Sequence, residues 1–308
     1  MASRPAARLM FVCALAASGA DTSLADSSTP RLASYYDRHL AICGGDALEW
    51  GGNSKPAIVM RDVVQVGVGR SAGYALGRDG RLHTWGDGLR KVETILDGVR
   101  YFAAGESGVL VIKVDGSLWS APGSGGGPLA FTRIAASAKA ASVGDGTNYF
   151  VTSEGELFAY GNAHRGQYGD GRLEGTAGPV RVAAHVRDVK SHTGHALLLG
   201  DGGEVRGTGG NIYGPLGRHG LGDRAMRWGT IFDAATGIAT GASHSLAIRA
   251  DKSLWIWGRN EGPDARRVMD DVVGAAAGTD SSIALTGDGS VWQWRTGVSP
   301  AKIFECAP

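Results

Sequence analysis

A strand–turn–strand unit that recurs along almost the whole chain constrains its fold more than any other feature. The clearest copy is Gly241-Ala-Ser-His-Ser-Leu-Ala-Ile-Arg-Ala-Asp-Lys-Ser-Leu-Trp-Ile-Trp-Gly258. Apolar residues alternate on both sides of a polar turn, the pattern of two half-buried strands. The same order returns in Gly73-Tyr-Ala-Leu76, Asp79-Gly80 and Leu82-His-Thr-Trp85, and in Val109-Leu-Val-Ile112, Asp115-Gly116 and Leu118-Trp119. It returns again in Asn148-Tyr-Phe-Val151, Glu154-Gly155 and Leu157-Phe-Ala-Tyr160, and in Ser282-Ile-Ala-Leu285, Asp288-Gly289 and Val291-Trp-Gln-Trp294. Two copies are worn. One carries His192 where the others have glycine, followed by His195-Ala-Leu-Leu-Leu199. The first runs from Tyr35 to Gly51 with a turn about one residue shorter.

Seven copies, with turns at 46, 79, 115, 154, 202, 251 and 288, leave no room for long amphipathic helices. A lone unit buries too little apolar surface to persist, whereas a closed ring of units buries a continuous core and leaves few open edges. The Asp-Gly turns suit two-residue hairpins of the primed types, which need positive φ. Segments between hairpins supply outer strands such as Pro179-Val-Arg-Val182. Fifty glycines in 308 residues fit a fold rich in tight turns. The fold expected is all-β, a seven-bladed propeller of mostly four-stranded blades over residues 33–308.

The unit resembles the regulator of chromosome condensation repeat family. Its signature runs small-Gly-x-x-His-Ser-Leu-Ala-Leu, an Asp-Gly turn, Trp-x-Trp-Gly, then Gly-Asn-x-x-Gly-Gln-Leu-Gly and a proline. Here Gly161-Asn162-Ala-His-Arg-Gly166-Gln167-Tyr168-Gly169 precedes Pro179, and Gly210-Asn211-Ile-Tyr-Gly214-Pro215-Leu216-Gly217 follows in the next copy. The resemblance covers about residues 33 to 304. It implies a seven-bladed propeller, of the secreted bacterial type on account of the N-terminal leader. It also gives Cys43 and Cys306 a rationale, because closure sets the first and last blades side by side. A disulfide there would close nearly the whole chain into one loop, and two buried free thiols are the alternative.

Residues 1–20 read as a signal peptide. Arg4 and Arg8 precede an apolar stretch from Leu9 to Ala17, and Ser18-Gly19-Ala20 suits a peptidase, with a second cut at Ala25. A mitochondrial presequence is the alternative. The localisation expected is secreted or periplasmic, and Cys13 would be discarded with the leader. No later stretch reads as a transmembrane helix, so no membrane insertion is expected.

Motifs that would carry chemistry reduce to the repeat. His192-Thr-Gly-His195 has the spacing of paired metal ligands on a helix, but here it falls in a loop and strand, and His195 matches the repeat's own His244. The Asp-Gly pairs lack the ligand spacing of a calcium loop. Gly241-Ala-Ser243-His-Ser245 lies between strands, unlike a nucleophile elbow. Neither metal nor cofactor is expected. A balance of 31 Lys+Arg against 30 Asp+Glu gives no pull toward nucleic acid.

The remaining candidates lie in the loops between each inner strand and its hairpin, which a propeller gathers on one face. They are Tyr36, Arg70, Glu106, Asp145, His192 and Asp280. The long segments 162–178 and 211–232 add Arg165, Tyr168, Tyr213, Arg218, His219, Arg224, Arg227 and Trp228, rich in the residue types that dominate binding energy. The expected role is a monomeric protein-binding propeller, an interaction or inhibitor module whose partner is another protein. Two other readings stay open. One is a channel-face enzyme, a lyase or glycosidase using carboxylates among Glu106, Asp145 and Asp280. The other is an effector delivered to a host, acting on a small GTPase as an exchange factor. Secreted inhibitory members of the family resemble this chain in size, but grip with faces rich in Tyr and Trp, and here those loops hold Tyr36 alone.

Overall fold

The computed structural model describes residues 31–306 except 53, 87–88, 124–128 and 219–221. The leader and His219 lie outside the described residues. Twenty-eight strands form seven four-stranded antiparallel sheets, each built from four consecutive strands. The chain is a seven-bladed β-propeller. Blades 1 to 7 span residues 32–60, 63–96, 99–135, 140–183, 186–232, 235–269 and 272–305. In each, an inner strand leads through a loop into the hairpin read from sequence, and a fourth strand forms the outer edge. Pro179–Val182 falls within one such edge, Thr176–Ala183.

Buried apolar residues divide into seven clusters, each shared by two neighbouring blades. Between blades 5 and 6, for instance, Leu197, Val205 and Phe232 meet Ile238, Ala247 and Trp257. Trp257 is 1% exposed, stacks on Phe232 at 5.5 Å and donates its indole N–H to the Pro215 carbonyl at 2.7 Å. The consensus histidines add polar ties between blades. His195 Nε2 pairs with Ser245 Oγ at 3.1 Å, and His244 Nε2 with Ser282 Oγ at 2.8 Å. Burial lowers both imidazoles to about 3, so they stay neutral.

No strand is shared across the seam between blades 1 and 7, because each sheet is continuous in sequence. Side chains close it instead. Leu32, Ala41 and Trp50 pack on Ile283, Leu285 and Val291. Trp50 donates its indole N–H to Gln293 Oε1 at 2.8 Å. Cys43 and Cys306 form a disulfide with Cα atoms 5.0 Å apart.

The hairpin turns differ from the expectation. Only the short turn of blade 1 has positive φ at both central residues, Gly44 at 58° and Gly45 at 90°. At Asp79-Gly80 the glycine alone is left-handed, with φ 77°. Gly80 N donates to the Gly77 carbonyl and Gly77 N to the Arg81 carbonyl, which makes a type I turn followed by a glycine bulge. The aspartate acts through its side chain. Asp115 Oδ1 accepts from Ser117 N at 2.9 Å and Ser117 Oγ at 2.6 Å, and Ser117 Oγ in turn accepts the Trp119 indole N–H at 2.8 Å. Asp251, Ser253 and Trp255 repeat the arrangement, with Lys252 taking the left-handed position at φ 61°.

Candidate functional site

The loops from inner strand to hairpin lie on one face and are tied into a belt. Ser107 Oγ donates to the Gly144 carbonyl at 3.0 Å, Asp145 N to the His192 carbonyl at 2.9 Å, and Ala242 N to the Gly278 carbonyl at 3.1 Å. Ser281 Oγ donates to the Tyr36 carbonyl at 3.0 Å, and Arg38 to the Ser71 carbonyl at 2.9 Å. Backbone and small side chains make most of these ties, and the Tyr36 and Arg70 side chains of the loops are exposed.

At the centre of this face Tyr35 of blade 1 stacks on His192 of blade 5, with ring centroids 5.4 Å apart and planes 14° apart. Blades 1 and 5 are not neighbours, so the stack spans the axis of the ring. His192 therefore does more than replace a glycine. Burial lowers its imidazole to about 4, Nδ1 pairs with Thr193 Oγ1 at 2.8 Å, and Nε2 is buried without a partner. Tyr36 stands beside the stack, edge-on to Tyr35 at 4.9 Å. It is 57% exposed and held at φ 49°, a conformation that non-glycine residues adopt at a cost.

Arg70, Glu106 and Asp145 come together from blades 2, 3 and 4. Arg70 reaches Glu106 at 3.3 Å. Partial burial, then the charge of Asp145, raise the Glu106 carboxyl above its usual range. Asp280 lies on blade 7, away from this arc, and receives Thr296 N on its backbone carbonyl. On the inner strand of blade 5, Lys190 donates to both oxygens of Asp188 at 2.8 and 2.7 Å. Burial opposes the Lys190 charge, but the charge and hydrogen bonds of Asp188 together with Tyr101 hold the ammonium above the ordinary lysine range.

Of the long-segment candidates, Tyr168 is fully buried and donates its hydroxyl to the Gly161 carbonyl at 2.7 Å. Arg224, Arg227 and Trp228 lie on the outer strand Arg224–Phe232 rather than on a loop. The Trp228 ring covers Gly169 and packs on the core between blades 4 and 5, while Arg227 is aimed at Gly171. Arg218 forms a two-pronged pair with Asp264, both contacts at 2.6 Å. Arg224 and Tyr213 instead meet at a hollow of about 340 Å³ between blades 5 and 6, on the belt face, together with Arg165 and Ile212. Arg259, which the sequence did not single out, lies over the Tyr213 ring at 5.0 Å. Among the described residues, no group of three or more His, Cys, Asp or Glu side chains is placed to hold a metal ion.

Residues 235–261, which hold the hairpin of blade 6, match the family described as the regulator of chromosome condensation (RCC1) repeat. The chain carries this repeat. The repeat propeller is 31% identical over 130 residues to the X-linked retinitis pigmentosa GTPase regulator of Homo sapiens, a match covering 39% of this chain and 12% of that protein. The Mus musculus counterpart is 30% identical over 127 residues, covering 39% and 13%. Among solved structures, Prp20p from Saccharomyces cerevisiae superposes with a TM-score of 0.73 at 17% identity, covering 88% of each chain. Human WBSCR16 gives 0.71 at 13% identity, covering 81% of this chain and 84% of its own. At such identities the superpositions establish the fold.

Proposed function

We propose that this repeat propeller is a protein-binding module that works through its belt face, as an interaction or inhibitor protein without a cofactor. The observation that carries the reading is the Tyr35–His192 stack with Tyr36 exposed beside it. A ring pair across the axis puts aromatic surface at the centre of the face, and an exposed aromatic in a strained conformation beside it suits an interface anchor. The same stack weighs against a channel-face enzyme. So does the Arg70–Glu106 pair, which engages one of the three carboxylates that reading would use. The solved relatives point the same way: yeast RCC1 (Prp20) was crystallised with Kap60, and Prp20p has binding properties toward Gsp1p and histones. The leader supports a secreted or periplasmic location.

The test is capture from the producing cell's own medium and envelope, followed by direct titration of the captured protein. Tyr36→Ala should weaken binding at least tenfold with the melting temperature unchanged. Equal affinity for wild type and Tyr36→Ala would remove Tyr36 from the interface, and equal affinity for a His192→Ala, Glu106→Gln variant as well would overturn the choice of face. The segment shared with a GTPase regulator favours a second reading, action on a small GTPase. Accelerated release of labelled GDP from a panel of purified small GTPases would support it.

A further inference from the structure

The hollow between blades 5 and 6 deepens the protein-binding proposal, and the occupant assigned to it rests on that proposal. Cationic groups converge there without a carboxylate partner. Arg165 and Arg224 both line the hollow, yet neither forms a salt bridge among the described residues, although Arg38, Arg61, Arg70, Arg81, Arg172 and Arg181 all do. Among the described residues the Arg224 guanidinium reaches the His164 carbonyl, at 3.4 Å, next in sequence to Arg165. The Arg165 side chain lies against Gly194, where an added Cβ would stand 3.0 Å from Cδ and 3.2 Å from Nη1. Glycine at that position is therefore what lets the guanidinium rest over the hollow. The sole acid on the lining, Asp223, is next to Arg224 in sequence and does not pair with it.

Part of the same lining is apolar and exposed. Ile212 is 64% and Tyr213 52% exposed, and Arg259 over the Tyr213 ring adds a third cation. Two guanidiniums and an exposed aliphatic–aromatic pair on one lining make a composite surface. A planar carboxylate suits a pair of guanidinium forks, and an apolar side chain beside it would cover Ile212 and Tyr213. We infer that this hollow seats an acidic segment of the partner protein, in which an Asp or Glu side chain engages Arg165 and Arg224 and a neighbouring apolar side chain packs on Ile212 and Tyr213.

The probe is a displayed library of random twelve-residue peptides, selected on the intact protein. Peptides pairing Asp or Glu with an adjacent large apolar residue should be enriched. A synthetic peptide from that set should bind at least tenfold more weakly to an Arg165→Gln, Arg224→Gln variant whose melting temperature is unchanged, and the loss should shrink at high salt. Ile212→Ser, Tyr213→Ser should weaken the same peptide without changing its salt dependence. No acidic enrichment, an affinity unmoved by the arginine changes, or tighter binding of phosphoserine peptides than of their Glu counterparts would overturn the inference. If a partner bound through Tyr36 is indifferent to the arginine changes, the inference fails while the belt-face reading stands.

Discussion

Removing the Cys43–Cys306 disulfide tests how this ring is closed. The crosslink spans 263 residues, and no strand bridges the seam it fastens. In the chain-entropy account a loop of that length removes about 19 cal/mol/K from the denatured ensemble, or about 5–6 kcal/mol at 25 °C. The seam's other contacts, Trp50 to Gln293 and the Leu32–Ile283 cluster, persist in the native state of a Cys43→Ser, Cys306→Ser variant. The loss therefore arises chiefly in the denatured state. Measured effects fall short of the entropic value, so the expected destabilisation is about 3–5 kcal/mol. The assay is urea unfolding of oxidised wild type, dithiothreitol-reduced wild type and the double variant. The midpoint should fall by the same amount in the last two, and the slope should steepen as a more expanded denatured chain exposes more surface. Amide exchange should then quicken first in the inner strands Leu32–Tyr35 and Val272–Ala277. A loss below about 1 kcal/mol, or exchange quickening first in blades 3 and 4, would refute the reasoning.

Lys252 occupies a left-handed position that glycine takes in neighbouring turns, and its pair with Asp271 is exposed. Lys252→Gly should therefore stabilise by about 0.5–1 kcal/mol in urea titrations. Trp257→Ala should cost about 3–5 kcal/mol, because it empties the contact with Phe232 and leaves the Pro215 carbonyl with Ser245 Oγ as its remaining side-chain donor. His195 and His244 titrate near 3 when folded against about 6.5 unfolded, so the unfolded chain binds more protons below that pH. Their contribution is complete above pH 6.5 and is lost as pH falls toward 3, at about 1.4 kcal/mol per pH unit for each once well below 6.5. Replacing both with Gln should flatten a plot of stability against pH, and a wild-type plot already flat between pH 7 and 4.5 would contradict this.

The seven units were legible because each announces itself in a hairpin of local contacts. Outer strands were harder to read, since their pairing partner is fixed by the hairpin and their own sequences, such as Gly262–Met269, are mostly exposed and weakly patterned. The turn type was misjudged at Asp79-Gly80 because Asp-Gly serves both a primed turn and a glycine bulge, and the choice depends on one further residue of loop. Tyr168 and Trp228 looked like loop anchors because polar and glycine residues surround them. The contacts that bury them come from the neighbouring blade or from a loop folded back on its own strand, which spacing does not reveal. The Tyr35–His192 stack joins residues in non-adjacent blades, a contact that exists only once the ring has closed. Arg165, Tyr213 and Arg224 were found through residue type, whereas Arg259 carried no signal beyond its charge.

Because every blade is one uninterrupted stretch of chain, the order of blades is a matter of linkage and not of sheet formation. Arg31 lies against Ile42, next to the crosslinked cysteine, so the two ends of the ring meet at one seam. Tethering 306 to 31 and opening the chain between blades 3 and 4 would give a circular permutant with all seven sheets intact. Gain or loss of a whole blade would likewise leave every remaining sheet complete and alter only the curvature its neighbours must share. A fold assembled this way can be edited in units of one blade.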